Sequence, residues 1–397
     1  MPRLSRLFNR NGSKPSQLAW GSAWQPKPST NLPREKSLSV GFNYRTLFVM
    51  VVLACVAGIP AGAQGQQSAE AKPANPSAAQ EPVAPPSVKT PQGIELVPTE
   101  NGMTLLRAKE SYTSLTLEGS DLRPAPPMST DHEKNVDFER ELVRLQWRPG
   151  DPIDMYVIKP PQIDKPPVVL YLEGFPSDLD HYRKIEFCKK LVKNGAAAVG
   201  FVSARTGYRS ERGPFTKWFV SELPESLAAT VHDVQLILNY LETRGDLDVT
   251  RAGMFGQGSG GAIAILAAAA DPRLKAIDLL NPWADWPDWL AESWLVPKQE
   301  RDKYLKPEFL KPLEPLEPVR YLPKLASRAI RIQFWDYEHR DTQKASVQLE
   351  AAAPATAKIA HYPNGGAMQE VASEGRLFEW IATTLSSSKP KEHAERR

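Results

Sequence analysis

The stretch GMFGQGSGGAIAI, from Gly253 to Ile265, contains the residue types that nucleophilic chemistry would need. Its apolar start predicts a strand, its glycines predict a tight turn and its Ala-rich end predicts a helix. A serine at such a bend attacks acyl groups when an imidazole, oriented by a carboxylate, takes its proton. Ser259 is the serine of this stretch, so its position in the turn decides whether the chemistry is available.

Two histidines are candidates for the base that Ser259 would need. His339 lies in the segment FWDYEHRD, and His361 lies near the end of AKIAHYP. An active hydrolase would therefore use Ser259 with His339 or with His361. His181 and His232 fall within predicted helices and are more readily explained as structural residues.

The bend must be positioned by strands and helices that alternate along the chain from Glu141 onward. PPVVLYLEG and AAAVGFVSA are continuous apolar runs, which are typical of parallel strands covered on both faces. The helix between them places Ile185, Cys188 and Leu191 on one stripe, and QEVASEGRLFEWIATTL predicts a single C-terminal helix. A further helix has the apolar stripe Leu227, Val231, Val234, Leu238 and Leu241. This alternation predicts an α/β fold with helices on both faces of a parallel sheet.

Residues 141–386 resemble the α/β-hydrolase superfamily in the order of their elements, in the Gly-rich bend and in DPRLKAIDLL leading to the next strand. The resemblance implies a mostly parallel, doubly wound sheet with helices on both faces. It also implies a lid-like insertion, here at about residues 284–325. In that superfamily the nucleophile stands at the centre of a G-x-S-x-G turn.

Two registers of that turn fit the sequence differently. The backbone at the apex is strained, and the residues two before and two after it pack so closely that both must be small. With Gly258 at the apex, those residues are Gly256 and Gly260; with Ser259 at the apex, they are Gln257 and Gly261. Because a long Gln side chain does not suit the position, the sequence favours Gly258 as the apex, which would leave the turn without a nucleophile. Ser259 would then begin the helix, and its role would be a helix-terminal hydrogen bond.

The other two triad positions implied by the resemblance are also substituted. The family's catalytic His follows the last strand, and the matching segment YPNGGAM places Ala367 there. The acid follows the preceding strand, and the matching position is His339, with Asp336, Glu338 and Asp341 nearby. Once the nucleophile is lost, His and acid add little to the rate, so the loss of all three fits a single loss of function.

The loop that helps to form the family's oxyanion hole reads Glu173-Gly174-Phe175-Pro176. Gly174 and Phe175 would keep backbone donors near the site, whereas a carboxylate at Glu173 has the wrong sign for stabilising an anion. Glu173 either takes part in the site or pairs with Arg205 or Arg209. Gln257, beside the bend, is a further candidate for contact with a ligand.

Four tryptophans lie within the segment NPWADWPDWLAESW. Trp283 and Trp286 could form an aromatic wall over the pocket, suited to a sugar or an aromatic ligand. Alternatively, these tryptophans are the apolar core of the lid. No metal-ligand spacing and no P-loop is present, so we expect no metal and no cofactor.

The N-terminal part of the chain predicts export. Residues 46–63 form an uncharged apolar run that ends in the A-x-A site at Ala63, after a basic leader at 1–45. Cleavage would give a periplasmic or secreted protein; without it, residues 46–63 would remain as a membrane anchor. Residues 64–92 are rich in Pro, Ala and Gln and predict a disordered linker, as does the tail at 387–397. Residues 93–140 predict an arm of short strands, including MTLLRA and YTSLTLEG.

The charge of the chain disfavours nucleic-acid binding. Of 397 residues with a net charge of +3, residues 1–63 hold eight Lys or Arg and one Glu, which leaves 41 basic and 45 acidic residues in the remainder. A protein whose main part is mildly acidic is not suited to binding a polyanion.

Taken with the substituted triad positions, the sequence favours a degenerate hydrolase that binds a small ester, sugar or peptide. An active serine esterase or peptidase and a ligand-free scaffold are the alternatives. It does not predict the oligomeric state.

Overall fold

The computed structural model describes residues 109–209, 219–335 and 342–387, together with the backbone of three short strands that precede them. The strands are β1 (Val88–Lys89), β2 (Glu95–Thr99), β3 (Gly102–Leu105), β4 (Met128–Lys134), β5 (Glu139–Arg148), β6 (Asp151–Lys159), β7 (Pro167–Leu172), β8 (Ala197–Phe201), β9 (Asp248–Gln257), β10 (Leu274–Leu280), β11 (Ala329–Trp335) and β12 (Lys358–Tyr362). The helices are α1 (Ile185–Val192), α2 (Leu223–Thr243), α3 (Ser259–Ala270), α4 (Trp286–Glu292), α5 (Arg301–Tyr304), α6 (Pro307–Leu313), α7 (Pro318–Tyr321), α8 (Gln343–Ala351), α9 (Gly365–Ser373) and α10 (Glu379–Ser387).

Strands β4 to β12 form one nine-stranded sheet in the order β12-β11-β10-β9-β7-β8-β6-β5-β4. The pairs β4–β5, β5–β6 and β6–β8 are antiparallel, and every other pair is parallel. Strands β1 to β3 form a separate antiparallel sheet. The larger sheet confirms the α/β class with a mostly parallel, doubly wound sheet.

Helices cover both faces of the sheet, because two successive crossover connections run in opposite directions across it. The connection from β7 through α1 leads to β8 on one side, and the connection from β8 through α2 leads to β9 on the other. Side chains of α1 and α10 pack in the apolar core of one face, and those of α2 and α3 pack in the core of the other. The stripe predicted for α2 is confirmed, since its five apolar residues are fully buried.

Three details of the local prediction were wrong. Ile185 is 50% exposed, because α1 turns Phe187 and Cys188 toward the sheet instead. The segment YTSLTLEG forms turns rather than a strand. The predicted C-terminal helix is two helices, α9 and α10, separated at Gly375, whose φ of +71° favours glycine.

Residues 109–140, the described second part of the segment predicted as an N-terminal arm, pack against the large sheet and its helices. Its strand β4 pairs with β5 at the edge of the sheet, and residues 109–122 lie against α2. In this segment the side chain of Glu110 is buried and forms two hydrogen bonds with Arg148, whose Nε and Nη2 donate to it at 2.6 and 2.5 Å. Nδ1 of His232 lies 2.6 Å from the same carboxylate. Burial alone would raise the pKa of Glu110, but the hydrogen bonds from Arg148 and His232 outweigh it and lower that pKa to about 2.

The same network continues from Arg148 to Asp233, which is fully buried. Asp233 accepts from Arg148, from Trp147 Nε1 at 2.8 Å and from Arg209 Nη1 at 2.9 Å. Arg209 also binds Asp151 at 2.5 and 2.8 Å. Opposite charges therefore meet in pairs in the interior, as buried charges require.

Residues 284–325, expected to be an insertion, contain α4 to α7 between β10 and β11. Glu317 joins two of these helices, since its carboxylate accepts the N–H groups of Asp285 at 2.8 Å, Trp286 at 2.9 Å and Val319 at 3.3 Å. Burial raises the pKa of Glu317, and these backbone donors offset part of that rise. No helix within the described ranges combines the length and the apolar composition needed to cross a bilayer; the apolar run at 46–63 lies outside those ranges.

Candidate functional site

The site lies where β7 and β9 end side by side. In open parallel sheets, the crevice for a ligand forms at the carboxyl ends of strands whose connections leave to opposite faces. Strands β7 and β9 are such neighbours, paired from Val168 with Ala252 to Leu172 with Gly256. The residues that follow β7, Glu173 to Phe175, therefore meet the last residue of β9, Gln257, and the two residues after it, Gly258 and Ser259.

Gly258 forms the bend between β9 and α3. Its φ of 57° and ψ of −119° define a strained conformation, which costs a residue with a Cβ about 1–3 kcal/mol and which glycine adopts without that cost. Gly256 and Gly260 make the bend possible, because a Cβ on Gly256 would lie 2.2 Å from the oxygen of Gly260, and one on Gly260 would lie 2.1 Å from the oxygen of Leu172. No side chain with Cβ fits at either position without a shift of the backbone.

The space above the bend is occupied by an indole ring. A Cβ on Gly258 would lie 3.2 Å from Nε1 of Trp283 and 3.7 Å from Cα of Gly174. The N–H of Trp283 donates to the oxygen of Gly258 at 3.0 Å, which fixes the tryptophan backbone against the bend. A side chain at Gly258 would therefore press against Trp283.

Ser259 is the first residue of α3 and is fully buried. Its Oγ accepts a hydrogen bond from the N–H of Phe175 at 2.9 Å. The hydroxyl thus ties the start of the helix to the loop after β7. It also occupies the donor that the resemblance assigns to the oxyanion hole.

Glu173 pairs with neither Arg205 nor Arg209, so that expectation was wrong. Arg209 is bound to Asp151 and Asp233, and Arg205 lies 3.4 Å from Glu222. Glu173 instead lies with its Oε1 2.9 Å from Nε2 of His181. This is an ion-pair distance, but Nε2 has no hydrogen-bond partner of suitable geometry among the described residues.

The sequence did not single out His181 as a neighbour of the site. His181 belongs to the 3₁₀ helix Asp180–Arg183. The centroid of its imidazole ring lies 4.1 Å from the ring centroid of Tyr182 and 4.8 Å from that of Phe187. The pairing with Glu173 depends on how the loop between β7 and α1 folds back, which composition and spacing do not reveal.

The aromatic residues of the site form a continuous row. The ring of Phe175 stacks on that of Phe219, with 4.5 Å between the ring centroids. Phe219 meets Trp283 edge to face with a centroid distance of 6.2 Å, and the rings of Trp283 and Trp289 pack with their centroids 4.3 Å apart. Phe175 and Trp283 are half-buried and border the bend. The expectation that Trp286 lines a pocket was wrong: only 1% of it is exposed, and its Nε1 donates to Leu316 at 2.8 Å inside the lid.

Of the remaining candidate triad residues, the structure describes His361 and Ala367. His361 is on the edge strand β12, where its side chain is 61% exposed, stacks on Phe334 and lies 3.2 Å from Glu350. Among the described residues, the contacts of the His361 ring are with Glu350 and Phe334, and the hydroxyl of Ser259 is bonded to the N–H of Phe175 instead. Ala367 lies in the first turn of α9, where its N–H donates to Asn364 at 2.9 Å. His339, with Asp336, Glu338 and Asp341, lies outside the described residues.

Comparison with known proteins gives similarities of fold. No family model matches the chain. Acetyl xylan esterase 1 from a Thermoanaerobacterium species is 16% identical, with 65% of this chain and 89% of that chain covered and a TM-score of 0.48. An acetyl xylan esterase from a Paenibacillus species is 15% identical, covering 64% and 88% of the two chains with a TM-score of 0.49. An S-formylglutathione hydrolase from Agrobacterium tumefaciens is 13% identical, covering 65% and 99% with a TM-score of 0.47.

At these identities and TM-scores, the comparisons carry no statement about the activity of this chain. The fold follows from the chain itself: a mostly parallel nine-stranded sheet, helices on both faces, a glycine-rich strand-to-helix bend after β9 and a helical insertion after β10. The chain has the α/β-hydrolase fold.

Proposed function

We propose that this protein is an exported α/β-hydrolase-fold protein without a working Ser-His-acid triad, and that it acts as a small-molecule binding or interaction module. The observation that carries the proposal is the identity of the residue at the bend. Gly258 stands at the strained apex of the turn, and it has no side-chain atom that could attack an acyl group. Removing the nucleophile alone costs on the order of a million-fold in rate.

Ser259 is poorly placed to replace the missing nucleophile. A nucleophilic hydroxyl must reach the substrate and transfer its proton to a nearby base. The hydroxyl of Ser259 has no exposed surface, and its oxygen is held by the N–H of Phe175. These contacts support a structural role.

The residues at and near the expected histidine position also support the absence of a proton-transferring histidine. Ala367, at the position of the family's catalytic histidine, has a methyl group that cannot carry a proton. His361 lies on an exposed edge strand beside Glu350. Glu173 adds a carboxylate next to the bend, where the negative charge of a tetrahedral intermediate would develop and be repelled.

The polar and aromatic groups that remain around the bend support retained binding. Ligand sites typically combine apolar or aromatic walls with a few placed polar groups. Phe175 and Trp283 supply the aromatic surface, and Glu173, Gln257 and His181 supply the polar groups. The ligand classes that such a site suits are a small ester, a sugar or a peptide.

A direct test treats the purified chain with a fluorophosphonate probe and with p-nitrophenyl butyrate, beside its Ser259→Ala variant. We expect no labelling and no turnover above that of the variant. Labelling of Ser259 that disappears in the variant would replace the proposal with an active serine hydrolase. Turnover gained by Gly258→Ser combined with Ala367→His would support the assignment of both positions.

A ligand screen tests the binding part of the proposal. Thermal stabilisation of the full chain by an ester, sugar or peptide, lost on Trp283→Ala, is the expected result. A folded chain that no compound stabilises, and that is inert to the probe, would favour a scaffold without a ligand site.

Export is proposed from residues 46–63 and is tested at the N-terminus of the protein recovered from cells. We expect a chain that begins just after Ala63 in the periplasmic or secreted fraction. A membrane-bound chain that retains this segment would support the anchor instead. A full-length chain in the soluble cell interior would contradict export.

A further inference from the structure

We propose that the ligand of this site is a neutral, hydroxyl-rich molecule, namely a short saccharide. This inference rests on the proposed function and specifies the ligand class of the same site. It starts from four polar side chains around the bend that have no hydrogen bond of good geometry to the described part of the protein. They are Glu173, His181, Gln257 and Trp283.

These side chains lie around the bend, with Glu173, His181 and Gln257 on one side of it and Trp283 on the other. The parallel register of β7 and β9 ends with Leu172 beside Gly256, so its continuation by one residue places Glu173 beside Gln257. His181 lies 2.9 Å from Glu173. On the other side of the bend, Nε1 of Trp283 lies 3.2 Å from where a Cβ of Gly258 would be.

The hydrogen-bonding capacities of the set are mixed. An ionised carboxylate only accepts, an indole N–H only donates, and an amide does both. Buried polar atoms normally have a partner, so the buried Nε2 of His181 without one is an exception that a bound group would resolve. A hydroxyl can donate to Glu173 or accept from the indole N–H of Trp283, so a molecule with several hydroxyls supplies both kinds of partner.

Other ligand classes fit the set less well. An anionic or ester ligand would bring its oxygens toward Glu173, which cannot donate to them. An organic cation would suit the carboxylate of Glu173 but would leave the indole N–H of Trp283 without an acceptor. The half-buried rings of Phe175 and Trp283 offer apolar faces on which the C–H surface of a sugar ring can pack.

The test is calorimetric titration of the full chain with cellobiose, maltose and trehalose, and separately with butyrate and tetramethylammonium. Glu173→Gln removes the ionised acceptor with little change of shape, and Trp283→Phe removes the indole N–H. The matched control is Glu350→Gln, since Glu350 forms a carboxylate–imidazole pair of the same kind with His361 at the exposed edge of the sheet.

We expect at least one disaccharide to bind saturably to the unchanged chain and to Glu350→Gln. Its affinity should fall about tenfold or more in Glu173→Gln, because hydrogen bonds to charged groups are the stronger ones, and about threefold to tenfold in Trp283→Phe, which removes a neutral donor. Circular dichroism of each variant establishes that it is folded.

Binding of butyrate or tetramethylammonium without any disaccharide would overturn the saccharide class and leave the binding function intact. Equal disaccharide affinity in all variants would place the sugar elsewhere and overturn the inference. Absence of any binding would overturn it as well, and the ligand screen and the fluorophosphonate assay would then judge the proposed function separately.

Discussion

The hydroxyl oxygen of Ser259 accepts a hydrogen bond from the backbone N–H of Phe175 at 2.9 Å. This contact joins the first residue of α3 to the loop that follows β7. In an acyl-transfer enzyme of this fold, a backbone donor of that loop would face the developing oxyanion. Here a side chain of the protein itself satisfies the donor.

Ser259→Ala should destabilise the fold because it leaves the N–H of Phe175 without its acceptor. The expected loss is about 1–3 kcal/mol in the free energy of unfolding, the cost of an unsatisfied buried donor. Urea denaturation measures it. Ser327→Ala, at an exposed serine, is the control and should change stability little. Equal stability of both variants would show that the contact is not important.

Gly258→Ala should be more costly than an ordinary glycine substitution. The conformation at the bend costs a residue with Cβ about 1–3 kcal/mol, and the methyl group would also press on Trp283. The control is Gly245→Ala, whose added Cβ would meet nothing within 4 Å. Thermal unfolding of both variants should show a clear loss for Gly258→Ala alone; similar melting temperatures would contradict the strained bend.

Acid should destabilise the protein through Glu110. Its pKa is lowered from 4.5 to about 2 in the folded chain, so its stabilising contribution is present above pH 4.5 and is lost as the pH falls toward 2. At 1.36 kcal/mol per pKa unit, the contribution is about 3 kcal/mol. Unfolding free energies measured from pH 6 to pH 2 should fall less steeply in Glu110→Gln than in the unchanged chain.

The control for this prediction is Glu350→Gln at the exposed edge of the sheet. It should keep the pH dependence of the unchanged chain. A Glu110→Gln variant with the same pH dependence as that control would show that Glu110 titrates normally.

A chain that begins at residue 124 should be much less stable than one that begins at residue 86. The shorter chain keeps β4 but loses Glu110, which leaves Arg148 and His232 buried without this partner. Breaking a buried ion pair from one side costs about 3–5 kcal/mol. Denaturant unfolding and limited proteolysis compare the two chains, and equal resistance would show that residues 86–123 are dispensable.

The sequence by itself determined the class of the fold and the position of the bend. Strands such as β7 and β8 are continuous apolar runs because both of their faces are covered, and α2 shows its buried stripe because a helix repeats every 3.6 residues. The glycines at 256, 258 and 260 are similarly local signals, since each marks backbone that leaves no room for Cβ or requires positive φ. Local patterns of this kind can be read without knowing which elements meet.

Only the tertiary structure decided which side chains share the site. Glu173 faces His181 rather than an arginine, Trp286 lies inside the lid while Trp283 borders the bend, and Glu110 belongs to the core of a domain that seemed to begin later. Each of these contacts joins residues from separate elements. Their positions depend on how loops return to the sheet and on which buried charges find partners, and neither is encoded in the spacing of residues along the chain.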